Sequence, residues 1–187
     1  EKIKSDIASY DPGHALNPIW VNSRGAIPRF DRGSIEIRIM DIQECPAADM
    51  AILSLVIETI KGLVSEKFID FESQMKWKTD VLARLLDKTS EKGQAAVIDD
   101  TEFLKVFGFP GTSATALDLW RHITERLMRL GNVAVTTGRQ EIDIVLTEGS
   151  LSQRIVKAIG MDQSKGNIVA VYKRLCDCLA QNKMFLV

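Results

Sequence analysis

The segment Gly33-Ser34-Ile35-Glu36-Ile37-Arg38-Ile39-Met40-Asp41 alternates apolar and polar residues with a period of two, the spacing of a β-strand, whose successive side chains point to opposite faces. This predicts that Ile35, Ile37 and Ile39 form a core face and that Ser34, Glu36, Arg38 and Met40 share the other. A strand needs a neighbour, and Pro18-Ile19-Trp20-Val21-Asn22-Ser23-Arg24, rich in β-branched and aromatic residues, is the predicted second strand, ended by Gly25. After Asp41 the period changes. Pro46, acceptable in a first helical turn, opens a segment to Val64 that is apolar almost all round, which predicts a buried helix behind the sheet. From residue 65 onward the pattern is helical, with segments expected at 74–87, 114–130, 140–147, 150–159 and 166–181 and one doubtful strand at 132–136. Gly131, Gly149 and Gly160 are placed as helix ends, and Ser150 as a cap. The expected class is α+β: the edge of an antiparallel sheet backed by a buried helix over residues 1–66, followed by a mainly helical region over 67–187.

Composition narrows the partners. With 24 Lys and Arg against 25 Asp and Glu, and no long run of either sign, a nucleic acid or an anionic membrane is not favoured. The longest apolar run, from Met50 to Ile57, is far short of the roughly 20 residues a membrane span needs. Three cysteines and no secretory signal predict a reducing, cytoplasmic setting without a disulfide framework. Cys176 and Cys178, two apart on a predicted helix, cannot converge on one metal. His14, in the turn Asp11-Pro12-Gly13-His14, gains no role from its surroundings.

Chemistry concentrates near the first strand. Residues two apart on a strand are separated by roughly 6.6 Å, so a cation on Glu36 could bridge to a phosphate oxygen held by Arg38. Arg24, Arg29 and Arg32 precede Arg38 within a short span, and guanidiniums pair bidentately with phosphate and carboxylate. The ordinary alternative is a set of solvated loop arginines and a surface ion pair worth about 0–1 kcal/mol.

The stretch Pro28-Arg29-Phe30-Asp31-Arg32-Gly33-Ser34-Ile35-Glu36-Ile37-Arg38-Ile39-Met40-Asp41-Ile42-Gln43 resembles the Arg-Phe-Gly-Thr-x-Glu-x-Arg-x-x-Asp-x-Gln signature of family 2 glutamate-cysteine ligases and related carboxylate-amine ligases, of the glutamine-synthetase-like superfamily. Asp31 and Arg32 are additional to that pattern. The resemblance implies that Glu36 is a metal ligand, that Arg38 contacts the transferred phosphate of the nucleotide, and that Arg29 and, less closely, Arg24 belong to the same site. Asp41 and Gln43 would line it if the alternation has ended by then. Gly149 to Arg154 resembles a later Gly-x-x-x-x-Arg segment of the family, within a helical region of structural role. Arg154 could reach back to an anionic group, but the ordinary expectation for it is a solvated helix surface.

The implied activity is ATP-dependent amide-bond formation, with a glutamate-like carboxylate activated as an acyl phosphate and joined to an amine such as cysteine, with Mg2+ as the metal, as in glutathione biosynthesis. In the resembled family further metal ligands come from an upstream Glu-x-Glu, and no Glu-x-Glu occurs in this chain. The chain is therefore expected to be the C-terminal part of a larger ligase, inactive by itself. The alternatives are a binding or regulatory protein with the same fold, or a ligase for a different amine.

Overall fold

The computed structural model describes residues 2–16 and 25–187. The predicted strand at 18–24, and with it Arg24, lies outside the described residues. The described residues are α+β, with two small antiparallel sheets and a mostly helical C-terminal region. No helix among them is long and apolar enough to cross a membrane.

The chain divides into two compact units, residues 1–41 and 42–187. The first holds α1 (Lys2–Ile7) and a hairpin of β1 (Ala26–Arg29) and β2 (Ser34–Ile37). Strand β2 occupies only the first part of the predicted run, stopping at Ile37 before Arg38, and its described partner is β1. The pairing register is Ala26↔Ile37, Ile27↔Glu36, Pro28↔Ile35 and Arg29↔Ser34. Arg32 N–H closes the connecting turn on the Arg29 carbonyl at 3.0 Å. Gly33 leaves it at φ 59°, a left-handed conformation that glycine adopts without steric cost. Asp31 and Arg32, the two residues additional to the family pattern, sit in this turn.

The second unit opens with α2 (Pro46–Val64) and continues through α3 (Phe71–Met75), α4 (Thr79–Lys92), a short 3-10 turn, β3 (Val97–Ile98), α5 (Thr101–Val106) and β4 (Ala114–Thr115). It ends with α6 (Ala116–Arg129), α7 (Val133–Thr137), α8 (Arg139–Glu148), α9 (Leu151–Ile159) and α10 (Lys165–Gln181). At its centre is α6, started by a reciprocal capping box between Thr115 and Asp118. Such a cap satisfies backbone donors that the first turn leaves without partners. Leu119, Ile123 and Leu127 follow at four-residue spacing and are all buried, each worth roughly 1.5–3 kcal/mol.

Helix α2 packs on α6, α7 and α8, so the units divide at residue 41 and not at the expected 66. Its apolar character does not bury it all round. The inward face carries Ala48, Ala51, Leu55, Thr59 and Gly62, while Met50, Leu53, Ile57 and Val64 are exposed. Small residues win the inward positions because α2 lies close to its neighbours: a Cβ added at Gly138 would meet the Ala51 Cβ at 2.8 Å and its Cα at 3.0 Å. Gly138→Val should therefore force α2 away from the start of α8. Overpacking of this kind costs about 1–3 kcal/mol, to be read from the urea midpoint. An unchanged midpoint would show that the two elements separate freely.

Two further differences have local causes. The helix predicted at 74–87 is broken at 76–78 into α3, capped by Asp70, and α4. The doubtful strand at 132–136 is helix α7, because the Asn132 side chain accepts from the Val135 N–H at 2.9 Å and caps it.

Candidate functional site

Hairpin geometry brings three of the predicted site residues together. Arg29 pairs opposite Ser34 and Ile27 opposite Glu36. Cross-strand partners share a face, so Ile27, Arg29, Ser34 and Glu36 project to one side, and the alternation carries Arg38 there too. Glu36 accepts from both arginines: Arg29 Nη1 donates to Oε2 at 2.6 Å, and Arg38 Nε donates to Oε1 at 2.8 Å. Arg29 also makes a two-point contact with the turn, Nε to Asp31 Oδ1 at 3.1 Å and Nη2 to Oδ2 at 3.0 Å. The result is a row of alternating charge, Asp31, Arg29, Glu36, Arg38. Arg32 approaches Asp31 at 3.6 Å, with 69% of its side chain exposed.

The expected division of faces does not hold: of the residues predicted as core, Ile35 and Ile39 are 59% and 60% exposed and Ile37 is half-buried, whereas Ile27 on the charged face is buried. The Arg29 side chain is only 15% exposed and that of Arg38 24%. Period two identifies which residues share a face, but not which face is covered. Here the guanidinium heads of Arg29 and Arg38 meet carboxylates.

Electrostatics fixes the protonation states. Arg29, then Arg38, holds the Glu36 carboxyl below the usual glutamate range, and Arg29 does the same to Asp31. The Arg29 guanidinium is correspondingly held more firmly protonated, by Asp31 first and Glu36 second. Asp31, Glu36 and Arg29 are therefore charged at neutral pH.

A magnesium ion takes about six oxygens at 2.0–2.1 Å. On this hairpin, Glu36 has spent one contact from each oxygen on a guanidinium, and Asp31 is bonded to Arg29. Among the described residues no group of three or more His, Cys, Asp or Glu side chains could hold a metal. The described residues therefore do not fit a magnesium site. Gln43 belongs to the second unit, where its N–H donates to Asp49 Oδ1 at 2.9 Å, and Asp41 ends the first. His14 sits in its turn at φ 49°.

The second unit holds a polar centre that differs from the expectation for Arg154. Its side chain is fully buried, facing the fully buried side chain of Glu44. Arg154 Nη1 donates to Glu44 Oε1 and, at 2.6 Å, to the Phe185 carbonyl; Nη2 donates to Glu44 Oε2 at 3.3 Å, and Nε to the Gly149 carbonyl at 3.1 Å. The Phe185 N–H donates to Glu44 Oε1 at 3.0 Å. Nearby, Asn182, in the left-handed region at φ 52°, ends α10 and accepts from the Ala47 N–H at 2.9 Å, capping α2. The anion that Arg154 reaches is thus internal, and the cluster ties the start of α2 to the C-terminal residues.

Burial acts to raise the Glu44 pKa, but the bonds from Arg154 and the Phe185 N–H outweigh it and hold the carboxyl below the usual range. A depressed folded value adds stability above the unfolded value of about 4.3, and that stability is lost as pH falls through the folded value. The urea midpoint should therefore decline as pH drops from 5 to 3, and more shallowly in Glu44→Gln. Parallel declines in the two proteins would show that Glu44 is not responsible.

A protein of Archaeoglobus fulgidus described as uncharacterized is 28% identical over 167 residues, which is 89% of this chain and 38% of that protein. The chain thus spans well under half the length of the relative it matches. No family model matches the chain, and no solved structure matches it.

Proposed function

We propose that this chain is part of an ATP-dependent carboxylate-amine ligase of the glutamate-cysteine type, and that the β1–β2 hairpin presents Arg38 and Arg29 to a phosphoryl group. The observation carrying this reading is that Glu36 and Arg38, the Glu-x-Arg of the resembled signature, lie on one face with Arg29 and bond to one another. Glutamate is the proposed carboxylate substrate, an amino acid such as cysteine the proposed amine, ATP the phosphoryl donor, and the cytoplasm the proposed setting. Acyl-phosphate formation draws on positioned cations more than on covalent groups, and arginine forks supply fixed positive charge to developing phosphate oxygens.

The test is ATP turnover by the full-length protein containing this chain, with glutamate and a panel of amines. Turnover requiring both amino acids is expected. ATP that binds without being consumed would instead support the non-catalytic binding protein, and turnover with another amine a ligase of different specificity.

A further inference from the structure

The hairpin carries its own counter-ions, and their arrangement points to a division of labour. Asp31 takes the Nε/Nη2 edge of Arg29 in two parallel bonds, while Glu36 takes Nη1. A guanidinium has five N–H donors, so two of those on Arg29 lie outside these bonds. Its side chain is largely covered, and it is held at two edges, by Asp31 in the turn and by Glu36 on β2. The rotamer entropy that a long cationic side chain surrenders on binding has been lost in folding. Glu36 divides its two oxygens between Arg29 and Arg38, spacing their heads across one carboxylate. A dication on Glu36 would have to sit beside both guanidiniums.

We propose that Asp31 and Glu36 are positioning residues that brace Arg29 and Arg38 as a receptor for a phosphoryl group, and that this receptor needs no metal. It rests on the ligase reading only for the class of ligand. With Arg32, the hairpin has three guanidiniums to two carboxylates, an excess of positive charge. A tetrahedral phosphoryl group can accept from two guanidiniums in different planes, where a planar carboxylate is satisfied by one fork. Asp31 is one of the two residues additional to the family pattern, so the brace on Arg29 is a property of this chain.

The experiment is titration of residues 1–187 with inorganic phosphate, ATP and glutamate in EDTA and in magnesium, read by calorimetry and by the arginine Nε–Hε resonances. Phosphate and ATP are expected to bind in EDTA and to shift the Arg29 and Arg38 resonances, with glutamate weaker. Arg29→Lys keeps the charge, loses the fork, and should weaken binding about tenfold, equivalent to about 1.4 kcal/mol. Glu36→Gln should weaken it about as much in EDTA as in magnesium, Glu36→Asp should restore part of the loss, and Asp31→Asn should act as Arg29→Lys does. Unchanged Arg154 and Arg174 resonances in each variant would establish that the second unit is folded. Absence of binding in EDTA, or a Glu36→Gln defect confined to magnesium, would overturn the proposal. Neither result depends on turnover, so the ligase reading could fail while the receptor stands, or the reverse.

Discussion

Arg154→Met is expected to lower the unfolding free energy by about 3–5 kcal/mol, because it leaves Glu44 buried without its cation. A domain has only about 5–15 kcal/mol in total, so this one change should remove a large part of it. Three acceptors lose the guanidinium together, the Glu44 carboxylate, which keeps only the Phe185 N–H, and the carbonyls of Phe185 and Gly149. The Glu44→Leu/Arg154→Met double variant should recover part of the loss, since exchanging a whole buried ion pair for apolar groups is often close to neutral. Recovery should be incomplete. The Phe185 N–H would still lack its acceptor, a deficit of about 1–3 kcal/mol for a buried group. Urea unfolding of the four proteins gives the coupling energy. Additive losses would show that Arg154 and Glu44 do not act as a unit.

That pair shows what a local reading of residues can reach. Helix α9 was legible from its ends: Ser150 and Gln153 form a reciprocal capping box, and Gly160 ends it at φ 58°. The placement of Arg154 was expected on a solvated surface, although it stands with Leu151, Ile155 and Ala158 on one side of the helix, a signal that could have placed it inward. An arginine on an apolar stripe needs an anion, and periodicity shows the need without naming the partner. Glu44 lies 110 residues away, and no local pattern links the two.

The hairpin divides in the same way. Alternation placed Glu36 beside Arg38 on one face, and the resemblance added Arg29 to them. Which face is covered depends on what packs there, and Ile35 and Ile39 came out exposed. The role of Asp31 was hidden for another reason. It entered the reading as an addition to a pattern, whereas a turn residue two positions after an arginine is well placed to hold that arginine's side chain. On α2, counting apolar residues suggested burial all round. The decisive feature was residue size, since Ala48, Ala51 and Gly62 are what allow close approach.

If the full-length protein is the proposed ligase, Arg38→Ala is expected to lower its kcat for ATP turnover by about 10²–10³-fold, the loss typical of removing one preorganised donor aimed at developing charge. Two charges 4 Å apart attract by about 4 kcal/mol near a protein surface and by about 1 kcal/mol in bulk water, so a half-covered guanidinium does more than a solvated one. Arg38→Lys should retain part of the activity, because the charge remains while the fork that bonds Glu36 is lost. Fold is not expected to suffer, since the β1–β2 pairing uses backbone groups, among them Arg38 N–H to the Gly25 carbonyl at 2.8 Å. The kinetics separate two roles: a fall in kcat and kcat/KM together marks an interaction made in the transition state, and a rise in KM for ATP alone marks uniform binding. Turnover of Arg38→Ala equal to wild type would remove the hairpin from the proposed reaction.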